Sequence, residues 1–208
     1  MMRPVHDWMR PLQRRRQWLS IGSLPTTHSA PWSVLPEAPT GRTRPLIVFT
    51  SLSPVPISVN LSVERVPASC WCSTVREHVS REQWGQLRRE PSRQAHYCCE
   101  VCGGRGPEWP VECHAVWHDD DTTYTQPLGR LLALCPACHC TKHIGLAEVK
   151  GSLAEARFHL AQVNGWTEAE TDADLVQVWT VWEERSAHDW RLNLSWLERW
   201  RIVVQPKR

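Results

Sequence analysis

The sequence predicts an α+β protein: a small cysteine-rich finger with flanking α-helices, preceded by a disordered N-terminal segment. Three observations lead to this class. Two Cys-x2-Cys pairs lie in a polar stretch that glycines and prolines interrupt, and such a stretch favours turns and short strands over long helices. Apolar residues at helical spacing follow that stretch. Ten of the 16 prolines lie ahead of it, within the first 67 residues.

Residues 1–62 predict a disordered leader rich in proline, arginine and serine. Neither a helical nor a strand period persists there, and the segment has too little apolar surface to offset the entropy lost on ordering. All three methionines lie near its start, so an over-long reading frame is a second explanation beside a true disordered tail. We expect the folded domain to cover residues 63–201 and a short tail to cover 202–208.

The apolar segments are too short for a signal peptide or a membrane span. No run approaches the roughly 18 apolar residues of a spanning helix, so we expect a cytoplasmic protein with no membrane partner. In that reducing compartment, clustered cysteines indicate metal ligands more than disulfides. Residues 1–62 carry seven arginines and two carboxylates, whereas residues 63–208 carry 17 basic and 20 acidic side chains. Net basicity therefore gives no argument that the cysteine-rich region binds nucleic acid.

Local patterns predict one helix and two strands before the second cysteine pair. A capping box at residues 80–83 starts a helix, and Pro91 should end it. Residues 111–117 alternate between two faces, as a strand does. Residues 129–134 predict a second short strand that leads into the second cysteine pair.

The rest of the domain is predicted to be helical. Residues 136–144 suit a short helix, and capping boxes that begin at Ser152 and Thr167 start two more. Gly165 should end the first of these two. Tryptophans recur through the C-terminal part, and the expected role of such large apolar side chains is core packing. They are Trp179, Trp182, Trp190, Trp196 and Trp200.

The two Cys-x2-Cys pairs predict a structural zinc site. Each pair presents two sulfurs from one tight turn, and four thiolates make a closed tetrahedral set. The expected ligands are Cys99, Cys102, Cys135 and Cys138. Cys98 is the expected bystander, because the standard spacing begins one residue later. Four further cysteines suit small apolar positions better than ligation: Cys70, Cys72, Cys113 and Cys140. A cluster of buried free thiols is the alternative.

One histidine lies between the cysteine pairs and two follow the second pair, and the three predict a second, open metal site. His139 and His143 are four residues apart, so a helix would place them on one face. Such a pair can bind one divalent ion. His114 lies on the upstream strand and could act as a general base on water. Surface or capped core histidines are the alternative.

Three motifs carry a resemblance to a known family: CEVCGG from Cys99, VECHxVWxDD from Val111 and ALCPACHxxxHIGLA from Ala133. They resemble the HNH endonucleases, and are closest to a bacterial and phage subgroup with a cysteine-rich zinc-binding core. The similarity runs from about Val63 to Leu197.

The resemblance implies a ββα-metal, treble-clef-like finger that zinc staples. In such nucleases the strand histidine, here His114, deprotonates the attacking water. The helix histidines, here His139 and His143, hold or flank Mg²⁺ or another divalent ion. The implied partner is DNA, and the implied reaction is phosphodiester hydrolysis.

Two positions depart from the family pattern beside the expected base. Cys113 stands where an acidic or histidine partner is usual, and Ala115 stands where close relatives have glutamate. Ala115 and the acidic balance of residues 63–208 motivate a second hypothesis, a catalytically inactive zinc-finger module that binds nucleic acid or protein. A third hypothesis is a thiol sensor that releases zinc on oxidation.

Overall fold

The computed structural model describes residues 60–71, 73–202 and 204. These residues form a mixed α+β fold with three strands and six α-helices. The strands are β1 (Glu112–Trp117), β2 (Thr125–Leu134) and β3 (Arg191–Asn193). The α-helices are α1 (Arg81–Leu87), α2 (Arg89–Gln94), α3 (Pro136–Lys142), α4 (Ile144–Lys150), α5 (Leu153–Asn164) and α6 (Glu168–Ser186). Short 3-10 helices cover Ala68–Cys70, Val75–Glu77 and Ser195–Trp200.

The sheet is a β-hairpin extended by one short strand, in the order β1-β2-β3. β1 and β2 are antiparallel, with His114 opposite Leu132, and the register shifts between Val116 and Trp117. β3 pairs in parallel with the start of β2. The predicted strand at 111–117 is confirmed, whereas β2 begins four residues before the predicted 129. Alternation along β1 sends neighbouring side chains to opposite faces.

Two hydrophobic cores lie against the hairpin. The first joins Leu132 and Leu134 of β2 to the helices α3 to α6, and also takes in Leu61 and Val63. The second joins Leu128 and Leu131 of β2 to α1 and to the 3-10 helices Val75–Glu77 and Ser195–Trp200. Its remaining buried members are Val75, Val79, Leu87, Leu194, Leu197 and Ile202. The hairpin is therefore held from two sides, which fixes the orientation of the side chains on β1.

The helix boundaries follow local chemistry, with two corrections. The capping boxes at Ser80 and Thr167 both form, and Gly165 ends α5 in the left-handed region at φ 66°. The predicted stop at Pro91 is wrong: this proline lies in the first turn of α2, where its missing N–H costs nothing. The capping box predicted at Ser152 does not form, because the Ser152 hydroxyl donates to the carbonyl of Ala147 instead.

The core roles of the tryptophans are correct for most, but not all, positions. Trp190 is buried, and Trp179, Trp182 and Trp196 are partly buried. Trp200 is exposed, because its 3-10 helix ends at the edge of the second core. Its indole instead lies 6.2 Å from the ring of Trp196.

The packed region extends slightly beyond the predicted domain limits. Leu61 is fully buried in the first core, and Ile202 and Val204 pack on the second. Residues 1–59 of the predicted leader lie outside the described residues, as does Cys72. Among the residues that the structure describes, no helix has the length and apolar character needed to cross a bilayer.

Candidate metal centres

The four predicted zinc ligands come together at one point. The Sγ atoms of Cys99, Cys102, Cys135 and Cys138 all lie within 4.8 Å of one another, and all but Cys102 are buried. Cys98 is outside this group, as expected. The distances fit four sulfurs around one ion, since each zinc–sulfur bond is about 2.3 Å long. The cluster can therefore hold a metal ion such as zinc.

The first cysteine pair forms a tight knuckle. The N–H of Gly103 donates to the carbonyl of Cys99 over 2.9 Å, and the N–H of Cys99 donates to the carbonyl of Gly104, also over 2.9 Å. Gly103 has φ 72°, a left-handed conformation that glycine adopts without strain. The N–H of Gly104 also points at the sulfur of Cys102, 3.4 Å away. Such backbone donors stabilise thiolate charge.

The second cysteine pair is built into the start of α3. Cys135 is the N-cap residue, and its sulfur accepts from the N–H of Cys138 over 3.4 Å. Pro136 follows at the first helical position, where a proline is favoured. The helix N-terminus also stabilises negative charge on the sulfurs. The residue that starts α3, Cys135, is thus also one of the predicted zinc ligands.

The pKa values of the Cys99 and Cys138 thiols depend on hydrogen bonds within the cysteine cluster. Hydrogen bonds from Cys135 and Cys138 lower the pKa of the Cys99 thiol. Hydrogen bonds to Cys135 and Cys99 raise the pKa of Cys138. Four thiolates this close repel one another unless a cation lies between them. A divalent ion would displace the protons and release that repulsion.

His159 contacts the cysteine cluster from a different helix. It lies on α5, and its Nε2 atom is 3.1 Å from the sulfur of Cys138. When Cys138 is a thiolate, the ring N–H can donate to it. His159 therefore lies where an outer partner of a metal ligand is found.

The three predicted catalytic histidines also come together. One ligand atom each from His114, His139 and His143 lies within 4.8 Å of the other two. The ring centroids are 5.0 to 5.2 Å apart. His114 is 1% exposed and projects from β1, whereas the other two are partly exposed. The cluster is thus buried on the strand side and open on the helix side.

His143 reaches the cluster from the junction of two helices. The helix predicted for 136–144 ends at Lys142, and His143 caps α3 and precedes α4 with φ −101° and ψ 51°. Its N–H still bonds to the carbonyl of His139 over 3.3 Å, which closes the last turn. The His139 and His143 rings therefore lie nearly as they would one turn apart on a continuous helix.

Glu64 joins the histidine cluster from outside the motifs. His114 Nε2 donates to Glu64 Oε1 over 2.8 Å, and Glu64 Oε2 lies 3.6 Å from His143 Nδ1. Burial raises the pKa of Glu64, but the hydrogen bond from His114 and the histidine charges outweigh it, so the pKa is lowered. The carboxylate is therefore ionised and fixes the Nε2–H tautomer of His114.

Glu112 orients a second histidine. His139 Nδ1 donates to Glu112 Oε2 over 2.5 Å, and the indole N–H of Trp109 donates to Glu112 Oε1 over 2.8 Å. The Nε2 atom of His139 is left to bind an ion, as in carboxylate–histidine–metal arrangements. Burial lowers the pKa of His139, and burial lowers the pKa of His143 to about 4. Both imidazoles are therefore neutral at pH 7 and have lone pairs to offer.

The two residues that depart from the HNH pattern face away from the histidines. Cys113 and Ala115 pack against the second core, on the other face of β1 from His114. Burial raises the pKa of Cys113 to about 12, so it stays a neutral thiol. A glutamate at 115 would point to that same core face. The departures therefore remove no carboxylate from the histidine cluster.

Sequence reasoning found the seven cysteine and histidine side chains that form the two clusters but missed three of their partners. Glu112 could have been found, because it is two residues from His114 on the same strand face. His159 carries only a weak signal, as a polar residue beside buried Leu160. Glu64 carries none, because no spacing rule links it to a histidine 50 residues away. The acidic run at 119–121 faces Arg185 instead, through Asp119 and Asp121.

Comparison with known proteins adds no family to these findings. No protein-family model, no curated protein and no solved structure matches this chain. The resemblance to HNH endonucleases therefore rests on the three sequence motifs.

Proposed function

We propose that this chain is a metal-dependent HNH-type endonuclease that hydrolyses phosphodiester bonds in DNA. Its catalytic unit is a ββα-metal, treble-clef-like finger made of β1, β2 and α3, with zinc on the four clustered cysteines. One observation carries the proposal: the ligand atoms of His114, His139 and His143 lie within 4.8 Å of one another. Sequence motifs suggest these roles, and the folded chain brings the three side chains to one place.

His114 is the proposed general base. Its Nε2–H is held by Glu64, so the lone pair is on Nδ1, which is buried and has no hydrogen-bond partner among the described residues. This nitrogen can take a proton from water as the water oxygen attacks phosphorus. The phosphorus–oxygen bond to the leaving strand then breaks. The Glu64–His114 pair matches the general pattern of a base oriented by a carboxylate.

His139 and His143 are the proposed ligands of the catalytic ion. Both rings are neutral. The hydrogen bond to Glu112 occupies His139 Nδ1, which leaves His139 Nε2 to bind the ion. A divalent ion held there would stabilise the negative charge that develops on the phosphate. The partial exposure of both rings leaves room for a substrate.

Two basic side chains support an anionic substrate. Lys142 ends α3 beside the histidines, and Arg130 lies on β2 with half of its side chain exposed. Burial lowers the pKa of Lys142, and Arg130 lies 3.6 Å from Glu100 Oε2. Phosphate contacts of this kind position a nucleic acid without reading its sequence.

A plasmid-nicking assay tests the proposal. The purified, zinc-loaded chain should nick supercoiled DNA with Mg²⁺, Mn²⁺ or Ni²⁺. His114→Ala should lower the rate by about 10²–10⁴-fold, the usual contribution of a general base. His188→Ala is the matched control, because that ring stacks on Tyr124 instead of joining the cluster. It should leave the rate unchanged.

The outcome that defeats the proposal is the absence of cleavage with every ion on supercoiled, linear and single-stranded DNA. Equal nicking by the wild type and His114→Ala would defeat the assigned base. If cleavage is absent but the chain binds DNA with a steep dependence on salt, the zinc-finger binding module becomes the better account.

A further inference from the structure

Glu64 makes an unusual set of contacts for a carboxylate. Its side chain is 14% exposed, and its two oxygens have different surroundings. Oε1 accepts the hydrogen bond from His114 at 2.8 Å. Oε2 is buried and, in the part of the chain that the structure describes, has no hydrogen-bond partner, although His143 Nδ1 lies 3.6 Å away. A buried carboxylate oxygen without a hydrogen-bond partner is costly, so such an atom suits a cation as its partner.

The backbone holds Glu64 at this position from two directions. The N–H of Glu64 donates to the carbonyl of Lys142, the last residue of α3, over 2.9 Å. Three residues earlier, the N–H and carbonyl of Leu61 both bond to the side chain of Asn164, each over 2.8 Å. The segment is therefore fastened to α3 and α5. These hydrogen bonds hold the Glu64 carboxylate next to Lys142 and His143, at the end of α3.

We propose that Glu64 is the third protein ligand of the ion at His139 and His143, with Oε2 as the ligand atom. The same carboxylate positions His114 through Oε1, so one side chain links the base to the ion. This inference rests on the proposed function only in placing an ion at the histidine cluster. It supplies the carboxylate that the HNH motif itself lacks, from a segment outside the motif.

The ligand set determines which ions fit. Two imidazoles and one carboxylate are the ligands of many open catalytic sites, which leave coordination positions for water or substrate. Imidazole favours transition metals, whereas Mg²⁺ prefers an all-oxygen octahedron. The site should therefore take Mn²⁺, Ni²⁺ or Zn²⁺ in preference to Mg²⁺.

A binding titration tests this directly. The zinc-loaded full chain is titrated with Mn²⁺, and free Mn²⁺ is followed by electron paramagnetic resonance. Glu64→Gln should weaken Mn²⁺ binding by at least about tenfold, since loss of even an outer partner of a metal ligand costs about 10–100-fold in affinity. Ser62→Ala is the matched control: it removes the hydrogen bond from Lys142 to the same segment but leaves the carboxylate. It should bind Mn²⁺ like the wild type. Mg²⁺ should displace Mn²⁺ only at a large excess.

The results separate this inference from the proposed function. Unchanged Mn²⁺ affinity in Glu64→Gln overturns the inference, even if the chain cuts DNA. Absence of any Mn²⁺ binding by the wild type overturns it as well. Mn²⁺ binding that depends on Glu64 in a chain that never nicks DNA supports the inference and removes the proposed function.

A second measurement does not depend on the variant folding. Crystals of the wild-type chain soaked in Mn²⁺ should give an anomalous peak at the histidine cluster. We expect a Glu64 oxygen within about 2.0–2.2 Å of that peak, the usual range for a carboxylate on a divalent transition metal. A peak bound by histidines and water alone would contradict the assignment.

Discussion

The cysteine cluster and the histidine cluster share helix α3 but have different surroundings. Cys135 and Cys138 lie at its start, and His139 and His143 lie along it and at its end. The cysteine cluster contains four sulfurs and no carboxylate, whereas the histidine cluster is in contact with Glu64 and Glu112. A closed set of thiolates leaves no position for a substrate, while the histidine set is partly open.

The difference teaches what each cluster can do. The cysteines contact backbone donors and a helix start, so we expect an ion on them to stabilise the fold. The histidines contact carboxylates that select tautomers and leave lone pairs available, which is the basis for proposing a catalytic role for them. Because His139 directly follows Cys138, an ion on the cysteines fixes the place from which the histidines project. The largest changes should therefore follow damage to the cysteine cluster.

The first prediction is that Cys135→Ser unfolds the domain. A structural zinc in a small domain stabilises it by about 10–16 kcal/mol, which is comparable to a whole unfolding free energy of about 5–15 kcal/mol. Cys135 is also the N-cap of α3, so its loss acts on the helix as well. Metal analysis should show loss of zinc, and circular dichroism should show loss of the cooperative thermal transition.

Cys98→Ser is the matched control for that experiment. Cys98 precedes Cys99 but lies outside the cluster, and its sulfur contacts Arg105. Zinc content and the thermal transition should be unchanged. A folded Cys135→Ser protein that keeps the wild-type transition would show that the cysteines do not fix the fold.

The second prediction concerns His159, the outer partner of the cysteine cluster. His159→Phe removes the contact with the Cys138 sulfur but keeps a ring of similar size. Loss of such a partner typically costs about 10–100-fold in metal affinity. Competition with a chromogenic zinc chelator should show this weakening. Because His159 does not join the histidine cluster, Mn²⁺ binding there should remain unchanged.

His159→Gln provides the conservative comparison. The glutamine amide can place an N–H near the position of Nε2, so zinc affinity should return towards the wild-type value. Equal zinc affinity in the wild type, the phenylalanine variant and the glutamine variant would show that the contact contributes only packing.

Sequence patterns were sufficient for the parts of the molecule that local chemistry determines. The cysteine spacing gave the four sulfurs of one cluster, and strand alternation gave β1 with His114 on one face. Both depend on residues that are close in the chain or on a spacing with one geometric meaning. The predicted zinc-binding class is confirmed only as far as a cysteine cluster that can hold a metal. Nuclease activity stays a prediction.

The parts that the sequence did not reveal depend on tertiary contacts. Glu64 reaches His114 only because its segment pairs with α3 and α5, and no local pattern records that pairing. Cys113 and Ala115 show the opposite case, because strand alternation alone places them on the face of β1 away from His114. The prediction for Pro91 was wrong because the first helix already ends before Arg88. A new helix begins after Arg88, and a proline is tolerated in its first turn.

The third prediction has the smallest expected effect and concerns the open side of the histidine cluster. Glu112→Gln keeps the size of the side chain but weakens its bond with His139 Nδ1. About a third of the Glu112 side chain is exposed, so water screens part of its charge and can replace the lost partner. We expect about a tenfold loss in nicking rate at low Mn²⁺ concentration, at the lower end of the usual range for outer partners.

The metal dependence of the Glu112→Gln effect distinguishes orientation from charge. If Glu112 acts by orienting His139, a high concentration of Mn²⁺ should restore most of the rate, because the ion then orders the ring itself. Glu108→Gln is the matched control, since it removes the same charge from an exposed position in the segment just before β1. A similar loss in both variants would mean that the general negative charge near the site matters, and not the hydrogen bond to His139. A loss confined to Glu112→Gln, reversed by Mn²⁺, would establish the difference between the clusters: the histidines depend on neighbouring carboxylates for orientation, whereas the cysteines do not.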